Sequence, residues 1–281
     1  MRLPAQLLKR EPDTHKGTYG HVFVLGGSSG LTGAVCLCAN AALRIGSGLV
    51  TAGIPKSLNV IFETKLTEVM TLPLEDYQGC LSLESFVKIE DFLHKIDVIA
   101  IGPGASLEPT TQKLMHKVIE EIDKPMVIDA DAITTLALDL GILNKRKAKD
   151  LVLTPHPGEF SRLLDLDKDK INKKRKELVK EFALRYNLTL VLKGNRTLVS
   201  DGKDLFENKT GNPGMATAGA GDVLSGVIAG LMAQGVKAFE AARAGVYLHG
   251  LAADLAVKDK TQSCLIASDI LDYLPKAIKV S

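Results

Sequence analysis

Tryptophan is missing from the 281 residues, aromatic side chains reach only 5%, and cysteine occurs four times. Four thiols are too few for a disulfide scaffold, and only Cys36 and Cys38 lie close together. Their Cys-x-Cys spacing has no second half that could complete a metal site. On a helix, side chains two apart diverge, so this pair is poorly placed to share a ligand. All four read as buried or incidental thiols of a reducing compartment. Charge of one sign is equally scarce: 35 Lys and Arg face 33 Asp and Glu, a net +2. That balance supplies no global field for nucleic acid or a membrane surface, so neither is expected as a partner. No apolar run approaches the ~20 residues of a membrane span. The opening MRLPAQLLKREPDTHKG has no apolar stretch of signal-peptide length. The chain reads as soluble and cytoplasmic.

What is present is an ordinary globular composition, 46% hydrophobic and 24% charged. Short β-rich runs alternate with helical patterns almost throughout. Strands are expected at His21–Leu25, Leu49–Ile54, Val98–Ile101, Met126–Ile128, Leu151–Leu153 and Thr189–Leu192, with another short one after Thr197. Each run is bounded by glycine, proline or a polar cluster, as buried parallel strands are. Helices are expected at about Gly33–Ile45, Asp222–Gln234 and Phe239–Val257. This order predicts an α/β fold with a mostly parallel, doubly wound sheet and helices on both faces. Ligands of such sheets bind beyond the carboxyl ends of the strands. No repeat, low-complexity segment or linker divides the chain, so residues 1–281 are expected to form one domain. The charged run from Lys168 to Lys180 fits the wet side of a helix whose apolar side carries Leu178, Val179 and Phe182, with phosphate steering as the alternative.

The most informative stretch is NPGMATAGAGDVLSG, residues 212–226. Gly219 and Gly221 permit tight turns and close backbone approach. A helix starting near Asp222 turns its free N–H groups towards that loop, a ready anion site. A carboxylate there would repel a phosphate unless it had a chemical task. Asp222 is then a general base beside an oxyanion cradle. It could equally be the helix N-cap, and spacing alone does not choose.

TAGAGDVLSG resembles the Gly-Ala-Gly-Asp-type signature of the ribokinase-like superfamily, in which the Asp activates a substrate hydroxyl. More closely, NPGMATAGAGDVLSG is similar to the version in NAD(P)H-hydrate dehydratases. So are HKGTYGHVFVLGGSSGLTGA (15–34), IGPG (101–104), LTPHPGEF (153–160), VLKGNRT (191–197) and GVYLHGLAADLA (245–256). The similarity runs in order from about His15 to Leu274. It implies a ribokinase-like fold in which Asp222, with Gly219 and Gly221, is catalytic. Ala34, Gly104, His156 and Asp222 are implied to contact the substrate. The prolines around His156 would hold it on a stiff loop past a strand.

Nucleotide binding falls by resemblance to Lys193, Gly194, Asn195, Arg196 and Thr197, then Asn212, Gly214, Met215, Ala216, Thr217 and Gly221. The 208–211 segment is expected to complete that cleft. The Lys193–Thr197 turn is not a Walker A loop, which would end in Gly-Lys-Ser/Thr. Glu159 is the candidate to hold Mg²⁺, directly or through water. After Asp129-Ala130-Asp131-Ala132 the chain has Ile133-Thr134, where the family more often has Leu-Asn. Asp129 and Asp131 are left as structural or near the metal.

The implied reaction is a lyase reaction on the hydrate of NADH or NADPH. Asp222 deprotonates the C6 hydroxyl as it attacks ADP or ATP, and the resulting phosphate is then eliminated. A small-alcohol kinase is the nearest rival. A dinucleotide-dependent oxidoreductase is the other, although GGSSG lacks Gly-x-Gly-x-x-Gly and the acidic residue that should follow. The resemblance also implies a homo-oligomer, a tetramer. No segment resembles an attached epimerase, so a separate hydrate epimerase is the expected functional partner.

Overall fold

The computed structural model describes residues 3–281, with every side chain except that of Lys168. Eleven strands form among the described residues: β1 His21–Leu25, β2 Leu49–Pro55, β3 Met70–Leu74, β4 Asp76–Tyr77, β5 Cys80–Leu81 and β6 Val98–Ile101. They continue as β7 Met126–Ile128, β8 Leu151–Leu153, β9 Thr189–Leu192, β10 Leu198–Ser200 and β11 Leu205–Glu207. Nine make one sheet in the order β11-β10-β9-β8-β7-β6-β1-β2-β3, and β4 and β5 make a separate hairpin. The pairings from β3 through to β9 are parallel, while β10 joins both its neighbours antiparallel. The expected α/β class, mostly parallel and doubly wound, is the one found.

Alternation along each strand sorts the core into two faces. Val22 and Val24, Val98 and Ala100, Val127, Val152 and Val191 share one hydrophobic cluster with the helices Thr32–Arg44, Ala220–Ala233, Ala238–Ala256 and Ala267–Lys279. Phe23 and Leu25, Ile99 and Ile101, Ile128, Leu153 and Leu190 belong to the other cluster. With it pack the helices Ser85–Phe92, Pro109–Glu121, Ala130–Leu136, Pro157–Leu164 and Arg175–Tyr186. The first face is lined by small valines and alanines, which lets its helices sit close.

The helices Thr32–Arg44 and Ala220–Ala233 pack closely. A Cβ on Gly226 would lie 2.0 Å from the Cys38 carbonyl oxygen, and one on Gly230 would lie 2.8 Å from that of Ala42. The two helices therefore run in the same direction with their N-termini side by side. Ala220–Ala233 packs on β1, β6 and β7, so its first turn stands over the carboxyl ends of those strands. The chain order reverses between β1 and β6, which makes this the topological switch point of the sheet.

The charged run departs from the single helix expected. It forms two helices, Lys168–Lys173 and Arg175–Tyr186, separated at Lys174. Val179 and Phe182 are buried as expected, and Leu178 packs partly against the core. Its basic face is not merely solvated: Arg175 donates to the Asn195 carbonyl at 3.1 Å, and Lys176 pairs with Glu207 at 2.6 Å. The Lys168 side chain lies outside the described residues.

Candidate active site

Gly219 adopts left-handed backbone, φ +87°, and caps the helix Ala220–Ala233. A side chain there would strike the Leu37 Cδ1 at 2.5 Å. Asp222 is thus the third residue of the helix, so the N-cap alternative fails on position. Its carboxylate makes no hydrogen bond among the described residues. The backbone N–H groups of Gly221 and Asp222 likewise have no acceptor within the described chain. Donors of this kind at a helix start attract anions. Glycine at 221 keeps the approach open, since a Cβ would sit 3.3 Å from the Lys193 ammonium and 3.8 Å from Asp129 Oδ2.

Behind that turn lies a buried charge cluster assembled from three neighbouring strand ends. Asp129 follows β7, Thr154 follows β8 and Lys193 follows β9. Lys193 Nζ donates to Asp129 Oδ1 at 2.7 Å, and the Ser225 hydroxyl donates to Asp129 Oδ2 at 2.6 Å. Burial alone would raise the Asp129 carboxyl, but Lys193, Ser225 and Thr154 hold it below its ordinary range. Burial likewise works to lower Lys193, and the Asp129 and Glu159 charges more than reverse that, leaving it raised.

Glu159 lies 3.9 Å from Lys193 and accepts the His156 backbone N–H at 2.7 Å. His156 Nδ1 accepts in return from the N–H groups of Gly158 and Glu159, a reciprocal cap on the helix Pro157–Leu164. Burial pushes Glu159 up to about 7, with Lys193 opposing and Asp129 reinforcing. Asp222 is also pushed up to about 7, by burial first and then by Asp129 and Asp131, against Lys193. No group of three or more His, Cys, Asp or Glu with metal-binding geometry occurs among the described residues.

A cavity of about 690 Å³ opens beside this cluster. Lys193, Gly194, Asn195, Arg196 and Thr197 line it, and so do Asn212, Met215, Ala216, Thr217 and Gly221. Ten of the eleven residues assigned to nucleotide by resemblance therefore share one cavity. Gly214 is not in its wall and instead donates its N–H to Asn212 Oδ1 at 3.0 Å. Asn208, Thr210 and Gly211 also line the cavity. His156 lines the same cavity. The Lys193–Thr197 turn has φ +128° at Gly194 and +54° at Arg196, and it closes with the Thr197 hydroxyl donating to the Gly194 carbonyl at 2.9 Å.

Ala34 and Gly104 lie outside that wall and against each other. A Cβ on Gly104 would approach the Ala34 Cβ to 3.1 Å and the Leu31 carbonyl oxygen to 2.6 Å. The turn after β1 is tied to the turn after β6 by Gly27 N–H to Pro103 O at 2.9 Å and Ser28 Oγ to Gly104 O at 2.9 Å. Sequence reasoning missed Ser225, Thr154 and Ser106, whose N–H donates to Asp131 Oδ2 at 2.9 Å. It also gave no role to His249, a buried cavity residue whose Nε2 has no hydrogen-bond partner among the described residues.

A family model described as NAD(P)H-hydrate dehydratase matches residues 22–276. The chain belongs to this family. Among similar proteins, the bifunctional NAD(P)H-hydrate repair enzyme of Moorella thermoacetica is 46% identical over 278 residues, covering 98% of this chain and 52% of that enzyme. The chain spans about half the length of that relative and of others that share its name. The ADP/ATP-dependent NAD(P)H-hydrate dehydratase from Bacillus subtilis, co-crystallised with ATP and Mg²⁺, superposes with a TM-score of 0.81 at 31% identity, over 97% of this chain and 93% of that one. A ribokinase-like superfamily protein from Enterococcus faecalis gives 0.80 at 28% identity, over 100% and 96%. The dehydratase-family match takes in the Asp222 turn, the paired turns after β1 and β6, and the whole cavity wall.

Proposed function

We propose that the chain regenerates NADH or NADPH from the corresponding hydrate in a nucleotide-dependent dehydration, with Asp222 as the first base. One observation carries this reading. A carboxylate free of hydrogen bonds and raised to about 7 stands in the first turn of a helix, beside unpaired backbone N–H groups at the edge of the cavity. Asp222 takes the proton of the C6 hydroxyl as that oxygen attacks the terminal phosphoryl group of ADP or ATP. The Gly221 and Asp222 N–H groups and Lys193 offset the charge that builds on the group in transfer. The Lys193–Thr197 turn and the 212–217 loop hold the nucleotide, while Ala34, Gly104 and His156 orient the hydrate. Phosphate then leaves C6, assisted by the lone pair of the ring nitrogen. No hydride moves.

Mg²⁺ is implied by the resemblance, and the Bacillus subtilis relative was co-crystallised with it. The site offers such an ion the buried carboxylate of Glu159, 3.9 Å from the Lys193 ammonium, with phosphate oxygens and water to supply the remaining ligands. Glu159 is the residue that holds it, directly or through water, as magnesium is usually held in phosphoryl-transfer sites. When bound, the ion neutralises phosphate charge. The four free cysteines fit a cytoplasmic setting. A hydrate epimerase is the expected functional partner, whether on the same polypeptide or apart from it.

The test is incubation with chemically prepared NADH hydrate, Mg²⁺ and ADP or ATP, following reduced-nicotinamide absorbance. Nucleotide-dependent recovery is expected. Phosphate ester accumulating on an unrelated alcohol while the hydrate stays intact would establish a kinase instead.

A further inference from the structure

The reaction just described removes two protons, one from the C6 hydroxyl and one from C5. Hydration of the reduced ring puts a hydroxyl on C6 and a second hydrogen on C5. Asp222 takes the hydroxyl proton during phosphoryl transfer and is then protonated. When the C6–O bond breaks, the phosphate departs with the bonding pair, and the nitrogen lone pair fills in as a C6=N1 double bond. The dihydronicotinamide forms only when a C5–H bond yields its pair to a C5=C6 double bond and the nitrogen recovers its own. The C5 proton needs an acceptor too.

Three other carboxyl groups gather here. Asp129 is engaged at both oxygens, Oδ1 by Lys193 and Oδ2 by Ser225. Glu159 holds the His156 N–H at 2.7 Å and lies 3.4 Å from the His156 Nε2, on the cavity side. Asp131 differs from both. Its Oδ2 accepts the Ser106 N–H at 2.9 Å, and its Oδ1 has no partner among the described residues. That bond ties Asp131 to the turn after β6, two residues beyond Gly104, and its charge acts on Asp222. Two non-glycine residues in left-handed backbone bracket the link, Ala130 at φ +50° and Ser106 at φ +75°. Such conformations are disfavoured for residues with a Cβ and cluster at functional sites. They hold a half-buried carboxylate with one oxygen unengaged among the described residues, at the turn after β6 and outside the wall of the nucleotide cavity.

We propose that Asp131 is the second catalytic base, taking the C5 proton as phosphate leaves C6. This rests on the dehydratase reading above. The hydroxyl proton passes through Asp222 to solvent. The C5 proton passes from Asp131 to the departing phosphate. One hydrate and one ADP or ATP thereby give reduced cofactor, inorganic phosphate and the shortened nucleotide.

Asp131→Asn tests this, because the amide oxygen still accepts the Ser106 N–H while basicity is lost. In rapid-quench single turnovers with NADH hydrate, Mg²⁺ and ADP, phosphoryl transfer is expected within a few-fold of the parent. Recovery of reduced-nicotinamide absorbance slows by on the order of 10²–10⁴-fold, and phosphorylated hydrate, or the C6=N1 cation that water returns to hydrate, forms in its place. Deuterium at C5 of the hydrate slows that recovery in the variant and leaves phosphoryl transfer unchanged. Recovery within a few-fold of the parent, or equal loss of both steps, overturns Asp131 as a base. A parent enzyme that cleaves no nucleotide in the presence of hydrate would instead defeat the dehydratase reading. Should circular dichroism show the Asn variant unfolded, Asp131→Ser, whose hydroxyl can also accept from Ser106, runs the same comparison.

Discussion

Asp222 occupies the third position of its helix, and Gly219 supplies the cap. Replacing the carboxylate with an amide of the same size therefore removes no capping contact. If Asp222 is the base, Asp222→Asn lowers single-turnover phosphoryl transfer by on the order of 10²–10⁴-fold while nucleotide still binds by calorimetry. Turnover within a few-fold of the parent would remove Asp222 from the mechanism. Stability should move the other way. The Asp222 carboxyl is raised from 3.8 to about 7, so the fold favours its protonated form. That contribution is present in full below the unfolded value and is lost as pH rises through about 7. Asn has no such loss. Relative to the parent, the variant gains roughly 1–3 kcal/mol in urea unfolding well above pH 7, and the gain fades on acidification. A difference independent of pH would show that Asp222 does not titrate in this way. Lys193 and Asp129 are coupled more tightly. Lys193→Met leaves Asp129 buried with only hydroxyl partners and should cost about 3–5 kcal/mol, part of it recovered by adding Asp129→Asn. Additive losses in denaturant melts would mean that the pair is not a unit.

At the scale of elements, six strands were legible because each apolar run stops at a glycine, a proline or a polar residue, and a seventh, β10, from its place after the Lys193–Thr197 turn. The edge strand β3 was not. It contains Pro73, which cannot donate to a ladder, and Met70 at its start is exposed. The glycine turns and Asp222 could be found from local spacing. The Asp129–Lys193 pair could not, because 64 residues separate its members and only the β7-β8-β9 order brings them together. Arg175 was hidden for the same reason: its charge reads as surface until β9 and β10 present the Asn195 carbonyl to it. The helix pair at the switch point gives a direct test of packing. Gly226→Ala drives a methyl to 2.0 Å from the Cys38 carbonyl oxygen and should cost at least about 1–3 kcal/mol by denaturant unfolding. Gly33→Ala, in the partner helix, meets nothing within 4 Å and should gain up to ~1 kcal/mol from helix propensity. Equal effects at the two positions would contradict the close approach of these helices.

Across the whole molecule, the carboxyl ends of the strands carry the two regions proposed to bind nucleotide and hydrate, beside the first turn of the Asp222 helix. The Lys193–Thr197 turn and the 212–217 loop line the cavity, and the joined turns at Gly27 and Gly104 lie outside its wall. Ligands that bind only the folded chain raise its stability by mass action, so each region can be read separately from melting temperature. At about 100 times its Kd, a ligand adds roughly 2.7 kcal/mol, which for a chain of this size is roughly 5–10 °C. The parent should show such a rise with ADP and Mg²⁺. Thr197→Trp puts a large ring into the cavity from a turn that precedes the buried residues Leu198 and Val199 without belonging to the core. Its ligand-free melting temperature should stay within a few degrees of the parent. The rise with ADP should collapse, and the rise with NADH hydrate should largely persist, because of the residues proposed for the hydrate only His156 is in the cavity wall. The reverse pattern, with the ADP shift kept and the hydrate shift lost, would exchange the two regions. Loss of both shifts at an unchanged ligand-free melting temperature would mean that nucleotide and hydrate share the cavity, with the turns after β1 and β6 left to hold the fold.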